Sequence, residues 1–331
     1  MTADGRPVLL ALRALGLGDL LTVLPCLRAL ARAYPDHRRI LAAPPALRPL
    51  LELAGAGFEL LAVDGPERRL EPLVGRTARP DVAVNLHGRG PESHRSLLSL
   101  RPTRLIAFAN EGVPGSQTLP RWRPGEHEVE RWCRLLRESG IAADPSDLTI
   151  EPPPAPEAAG ATIVHPGAAS PARRWPPERF AAVARAERDR GGRVLVTGTP
   201  AERGLARWVA RTAGVLGQDV WAGRTHLVRL AALVGAADLM VCGDTGVAHL
   251  ATAVGTPSVV LFGPTSPERW GPPADRPAHR ALWRGSEGDP HADRPDPGLL
   301  AIGVPDVMEA IGDLRARVGA GPGATVVGGG P

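Results

Sequence analysis

Short apolar runs alternate in this chain with segments whose apolar residues recur at helical spacing. That alternation restricts the fold more than any other feature. Residues 8–14 read as a buried strand, and 19–33 as a helix with apolar residues at 20, 21, 24, 27 and 30. Residues 39–43, 59–63 and 81–86 (DVAVNL) read as further strands, with a helix at 46–54. Runs apolar on both faces, separated by amphipathic helices, are what a parallel sheet covered by helices requires. The stretch EPPPAPEAAG, 151–160, interrupts the pattern with the composition of a linker.

Beyond it the pattern restarts. Strands are expected at 161–165, 193–197, 238–242 and 258–262, and helices at 177–190, 201–213, 226–235, 246–254 and 305–318. With 331 residues there is material for two domains of ~150 each. The expectation is therefore α/β: two doubly wound domains at 1–152 and 161–318, a proline-rich linker at 153–160 and a flexible tail at 319–331. Ligands of such sheets bind at the carboxyl ends of strands, so the segments after strands carry the chemistry.

Composition excludes several function classes. Aromatic residues make up 4% of the chain, too few for base-stacking platforms. All 39 basic residues are arginine and are scattered, for a net charge of only +4, which reads as solvated surface rather than a nucleic-acid footprint. Cys26, Cys133 and Cys242 are odd in number and far apart in sequence, with neither disulfide-framework nor metal-ligand spacing. The apolar N-terminal run is broken by Arg13 and Asp19, without a basic leader or cleavage site, and no run approaches the ~20 residues of a membrane span. A soluble, intracellular protein is expected.

Four strand-to-helix segments stand out. In GDTGVAHLATAVGTPSVVLFGPTSP, 243–267, a strand hands over to a helix that Asp244 or Thr245 can cap. The glycines, Gly246 among them, admit a ligand to free amides at a positive dipole end, a site for an anion such as a diphosphate. His249 lies one turn beyond Thr245 on the same face. A capped helix with a buried histidine is the plain structural alternative. HPGAASPARRWP, 165–176, leaves the same sheet edge and offers Arg173 and Arg174, whose planar forks suit paired phosphate oxygens. In VTGTPAER, 196–203, Glu202 can accept from ribose hydroxyls or simply favour the helix dipole. NLHGRGPESHR, 85–95, gathers His87, Arg89, His94 and Arg95 after a strand, a loop suited to sugar hydroxyls or acidic groups. The acidic stretch SEGDPHADRPDP, 286–297, is broken by prolines and reads as a solvated loop rather than a metal site.

LGLGDLLTVLPCLRAL, 15–30, is the fifth segment. Here Asp19 follows Gly16 and Gly18 where strand gives way to helix. It can be a helix cap, part of a dinucleotide-binding turn, or a catalytic group. The dinucleotide reading, with an NAD-dependent oxidoreductase behind it, is weakened by Leu21 at the place of the third glycine.

Segments 15–30, 165–176 and 243–267, in this order, resemble the heptosyltransferase-like glycosyltransferases of family 9, and the resemblance runs over roughly residues 7–318. It implies a GT-B fold, two Rossmann-like domains facing a central cleft. It also implies inverting transfer of a heptose from ADP-heptose without a catalytic metal or other cofactor. The acceptor would be a hydroxyl of a glycan, glycolipid or small molecule. Carried over by position, Asp19 becomes the catalytic base. Arg173 (where many members have lysine), Ser170, Asp244, Thr245, Gly246 and His249 become donor-binding, and Glu202 a nucleoside contact. Gly18, His87 and Arg89 are read on the acceptor side from their place after strands of the first half, not from a family match. The implied place is the cytoplasm, with peripheral contact at the inner membrane face as an option. Two departures stand: Ala168 and Ala169 replace the small hydroxyl residues usual before the basic residue, and His87 and Arg89 do not match the acceptor loop of the lipopolysaccharide enzymes. A non-catalytic sugar-nucleotide-binding module is a further alternative.

Overall fold

The computed structural model describes residues 5–65, 79–285 and 287–319. The chain divides into two compact units, Met1–Pro154 with His226–Ala232 and Glu268–Trp270, and Ala155–Thr225 with Leu233–Pro267 and Gly271–Pro331. Within the linker segment, Pro156–Ala158 makes a 3-10 turn with Ala158 buried.

The first unit holds a parallel sheet of five strands: β1 (Val8–Leu12), β2 (Arg38–Ala43), β3 (Glu59–Ala62), β4 (Val82–Asn85) and β5 (Arg104–Ile106), in the order β3-β2-β1-β4-β5. Leu10 sits opposite Ile40 on one side and Ala83 on the other. All five residues of β1 are buried, as an unbroken apolar run demands in a central parallel strand, whereas the edge strands β3 and β5 keep exposed residues. Among the described residues, the N-terminal half contributes α1 (Leu17–Thr22), α2 (Leu24–Ala33), α3 (Arg48–Leu53), α4 (Glu92–Leu98) and α5 (Glu128–Glu138).

Four features of this unit differ from expectation. The helix expected at 19–33 is two helices, because Pro25 in the first turn of α2 has no N–H to continue the ladder across Val23. Segment 85–95 ends in α4 rather than remaining a loop. Strand β5 and helix α5 were not expected. The apolar face of α5 (Val129, Trp132, Cys133, Leu135, Leu136) is interleaved with Glu128, Arg131 and Arg134, which are also buried, so its sequence lacks a clean apolar stripe. Helix α5 also brings together two cysteines distant in sequence: Cys26 Sγ of α2 lies 3.9 Å from Cys133 Sγ, both buried free thiols.

The second unit's parallel sheet comprises β6 (Ala161–His165), β7 (Arg193–Val196), β8 (Leu239–Gly243), β9 (Ser258–Phe262) and β10 (His279–Trp283), ordered β10-β9-β8-β6-β7. The C-terminal half contributes α6 (Pro177–Asp189), α7 (Arg203–Ala213), α8 (Leu227–Ala236), α9 (Gly246–Val254), α10 (Pro267–Trp270), α11 (Pro297–Ala301) and α12 (Val304–Gly319). Every residue of β6, β8 and β9 is buried. Strand β10 was not expected, since HRALW is a half-buried edge strand whose charges guard an open ladder. The acidic stretch 286–297, whose Ser286 lies outside the described residues, ends by capping α11: Asp296 Oδ1 accepts from the N–H groups of Gly298 and Leu299 at 2.8 and 3.2 Å. The expected tail lies, from residue 320, outside the described residues. None of the described helices is long and apolar enough to cross a membrane.

Both sheets are doubly wound. In the first the chain order reverses between β1 and β4, in the second between β6 and β8, and the crevice at the carboxyl ends beside such a reversal is where these sheets take ligands. The core of the second unit is anchored by Trp175, whose indole N–H donates to the Ile302 carbonyl at 2.9 Å and whose ring meets that of Phe180 edge-on at 5.0 Å. Phe180→Ala removes a buried ring from this cluster and is expected to lower stability by about 3–5 kcal/mol in urea unfolding. A loss below ~1 kcal/mol would contradict the packing described.

Candidate active site

The first unit's reversal point is organised by Arg13, one residue beyond β1 and 1% exposed. Its Nε donates to the Asp19 carbonyl (3.1 Å) and Nη1 to the Leu86 carbonyl (2.6 Å). Nη2 serves Asp19 Oδ1 (2.9 Å), Glu128 Oε1 (3.0 Å) and Thr22 Oγ1 (3.3 Å). The guanidinium also lies 5.0 Å from the centroid of the Trp132 ring, and the Trp132 indole N–H donates to the same Glu128 oxygen at 2.7 Å. Arg131 pairs with the second Glu128 oxygen. Arg131, Glu128, Arg13 and Asp19 thus form a chain of alternating charge from α5 to α1.

Asp19 is the outermost member, its side chain one-quarter exposed. It is the third residue of α1, and Oδ2 accepts the Gly16 N–H at 3.1 Å, so it does serve the helix start. Gly16 has no side chain to return the bond, and only that half of a capping box exists. Burial raises the Asp19 carboxyl above its ordinary value, the Arg13 charge opposes the rise and Glu128 adds to it. Gly18 lies beside Asp19 in the first turn of α1.

His87 follows β4. Its Nδ1 accepts the Ala14 N–H at 3.2 Å, which leaves the ring proton on Nε2. Burial and the Arg13 charge pull its pKa down to about 4, so the imidazole is neutral near pH 7. The His87 N–H donates to Asn85 Oδ1 at 2.9 Å. The other charges of segment 85–95 disperse. His94 is fully buried between Asn85 Nδ2 (3.0 Å) and the Phe108 carbonyl (2.7 Å), a structural role. Gly90, at φ +77°, leaves that ring its space, since a Cβ there would lie 2.3 Å from His94 Nδ1. Arg89 is exposed.

In the second unit, Thr245 caps α9: its Oγ1 accepts the Val247 N–H at 3.3 Å, and Gly246 begins the helix. Asp244 precedes it, 6% exposed, and burial pushes its carboxyl up to about 6 against the pull of Arg173. Arg173 closes the 3-10 turn Pro171–Arg173, which rests on the end of β8. A Cβ on Gly243 would lie 3.1 Å from the Arg173 carbonyl. Arg173 Nη1 is 3.8 Å from Asp244 Oδ2, and its buried Nε has no hydrogen-bond partner. Arg174 differs: its Nε is spent on the Ala168 carbonyl at 2.9 Å. Ser170 is buried, with Oγ 3.4 Å from the Ala292 carbonyl. His249 is half-buried, one turn into α9.

Glu202 stands before α7 and its Oε2 accepts the Thr199 N–H at 2.8 Å. Its carboxylate fills the notch over Gly167, where a Cβ would lie 2.1 Å from Oε1. Buried His165 shares a 2.9 Å hydrogen bond with Thr197 Oγ1 in the same turn. Arg13 and Glu128 are the residues that sequence reading missed. Arg13 is visible as a charge inside an apolar run, but its partner Glu128 lies 115 residues away. Among the described residues no three His, Cys, Asp or Glu side chains gather as ligands for a metal ion.

The raised Asp244 carboxyl makes stability pH-dependent. The folded state keeps its proton to about pH 6 while the unfolded chain releases it near 3.8, so stability falls as pH rises between those values. Relative to Asp244→Asn, the wild type is expected to lose about 2 kcal/mol from pH 4 to pH 6, read from unfolding curves of both proteins. Parallel curves would refute the assignment.

The model for glycosyltransferase family 9 (heptosyltransferase) matches residues 116–293, more than half of the chain. That stretch includes Arg173, Glu202 and 244–249 but not Asp19 or His87. Lipopolysaccharide heptosyltransferase 2 of Escherichia coli strain K12 is 32% identical over 108 residues, 31% of this chain and 31% of that one. The chain thus spans about a third of the length of that curated relative. A solved family 9 glycosyltransferase from Veillonella parvula superposes with a TM-score of 0.77 at 21% identity, covering 94% of this chain and 98% of that one. The solved ADP-heptose lipopolysaccharide heptosyltransferase II of E. coli gives 0.74 at 22%, covering 94% and 99%. The likeness to both structures is one of fold, the GT-B class of two Rossmann-like α/β units.

Proposed function

The chain belongs to glycosyltransferase family 9, and from that premise we propose that it is an inverting, metal-independent transferase. It moves a sugar, a heptose from ADP-heptose, to a hydroxyl of a glycan, glycolipid or small molecule. The observation that carries the reading is Arg173: a guanidinium with an unpartnered buried Nε, at the sheet reversal beside the amino end of α9. A cation beside the amino end of a helix suits a diphosphate. In this reading residues 161–318 bind the donor. Its diphosphate lies against Arg173, Thr245 and Gly246, with Asp244, His249 and Ser170 around it, and its ribose meets Glu202.

Residues 1–152 take the acceptor, with Gly18, His87 and Arg89 on that side. Asp19 accepts the proton of the acceptor hydroxyl as its oxygen bonds to the anomeric carbon. The bond from that carbon to the diphosphate oxygen breaks on the opposite face, and the nucleoside diphosphate leaves with the electron pair. Arg173 and the α9 terminus stabilise the charge that grows there, the task a divalent cation performs in metal-dependent transferases. The neutral His87, with Nε2–H as donor, supports a role in orienting an acceptor oxygen. The enzyme works in the cytoplasm, with peripheral contact at the inner membrane face for a lipid-linked acceptor.

Asp19→Asn is expected to lower ADP release from ADP-heptose by ~10²–10⁴-fold while ADP binding persists, and near-normal turnover would refute the base. Arg173→Ala should weaken ADP binding roughly 10–100-fold in calorimetry. In a thermal-shift comparison of ADP-, GDP-, UDP- and TDP-sugars, the ADP-sugar is expected to stabilise most. Stabilisation by UDP- or TDP-sugars alone would overturn the donor assignment. Donor binding without nucleotide release, whatever acceptor is supplied, would leave a sugar-nucleotide-binding module instead.

A further inference from the structure

We propose that Glu128 is a positioning residue that sets the basicity of Asp19 by sharing Arg13 with it. The proposal rests on the reading of Asp19 as the base. Arg13 has two tasks that conflict. It must hold Asp19, which it does through the carbonyl (3.1 Å) and Oδ1 (2.9 Å) of that residue while Nη1 ties the assembly to the end of β4 at Leu86. Yet a fully buried cation this close to a carboxylate makes it a poorer proton acceptor.

Glu128 resolves the conflict. Nη2 has two protons, and its two short acceptors are Asp19 Oδ1 and Glu128 Oε1, so the guanidinium charge is divided between two carboxylates. Glu128 is itself fixed: Trp132 donates to Oε1 at 2.7 Å and Arg131 holds the other oxygen. The grip on Asp19 is kept, and the loss of basicity that a lone Arg13 would impose is offset.

The charges facing Asp19 come from every element around it. Arg13 follows β1, and Glu128 lies on α5 with Arg131 behind it. Arg131 also donates through Nη2 to the Glu126 carbonyl, and the Glu126 carboxylate is taken by Arg134. His87, after β4, is neutral in the working range. The turn before α1 contributes the Gly16 N–H. Of these, Glu128 is the negative charge bonded to the same guanidinium nitrogen as Asp19.

The test is the carboxyl-carbon titration of Asp19 in the full chain carrying ¹³C-labelled aspartate, its resonance assigned by its loss in Asp19→Asn. Glu128→Gln leaves the Arg13 charge to Asp19 alone and should lower the midpoint by about one pH unit. The acidic limb of ADP release from ADP-heptose should move down with it. Glu128→Asp keeps the charge and should hold the midpoint near wild type. Arg131→Gln strips the cation from the far side of Glu128 and should move the midpoint up, a second reading in case Glu128→Gln does not fold. An unmoved or raised midpoint in Glu128→Gln, or an unmoved or lowered one in Arg131→Gln, overturns the proposal. Full turnover in Asp19→Asn, with the midpoint shifts intact, would instead overturn the base reading and leave the charge coupling standing.

Discussion

A buried guanidinium must have its N–H groups met by acceptors, because an unpaired charge away from water costs several kcal/mol. Arg13 imposes that constraint on the first unit. Its acceptors come from the turn and helix after β1, from the end of β4 and from α5, so one side chain ties together four elements brought from residues 13, 19, 86 and 128. Trp132 completes the enclosure by lying against the guanidinium and donating to its partner Glu128. The placement of Asp19 follows from this network rather than from α1, whose six residues and side-chain-free cap would hold it weakly.

The two units solve opposite electrostatic problems at equivalent places. Each sheet reverses its winding beside its first strand, and each reversal exposes the carboxyl ends of two strands with the turns that follow. In the first unit the outermost group is a carboxylate whose supporting cation is saturated. In the second it is a cation, Arg173, whose supporting carboxylate Asp244 is buried, 3.8 Å away and raised toward neutrality. Each guanidinium nitrogen of Arg13 is hydrogen-bonded, whereas Arg173 keeps a buried Nε without a partner. The same residue type therefore serves as a fully bonded scaffold in one unit and keeps an unpartnered buried nitrogen in the other.

Much of this was legible in the residues. Strands β1, β6, β8 and β9 are short runs dominated by apolar residues, and their complete burial is what such runs predict. The Gly-Asp-Thr-Gly turn is legible because cap and glycine chemistry are local, and Thr245 does cap α9. The elements that escaped share a cause. Helix α5 carries buried charges, and β10 is a charged edge strand, so both break the periodicity that reading depends on. Pro25 was visible, but apolar residues continuing across it masked the break between α1 and α2.

Family membership follows from the chain's residues alone, and local order and composition pointed to the α/β class, the double repeat and the positions that follow each strand. They do so because βα alternation and turn chemistry act between near neighbours. The tertiary structure decided which side chains meet: that Arg13 is the partner of Asp19, that Glu128 competes for it, that Cys26 reaches Cys133, and that His94 is fully buried while His87 is half-buried. Those pairings join residues up to 115 apart, and they exist only once the sheet has fixed which strand ends are adjacent. Charges in the sequence carry no address. Burial supplies it, since a charge taken out of water is stable only where the fold has brought its counter-charge.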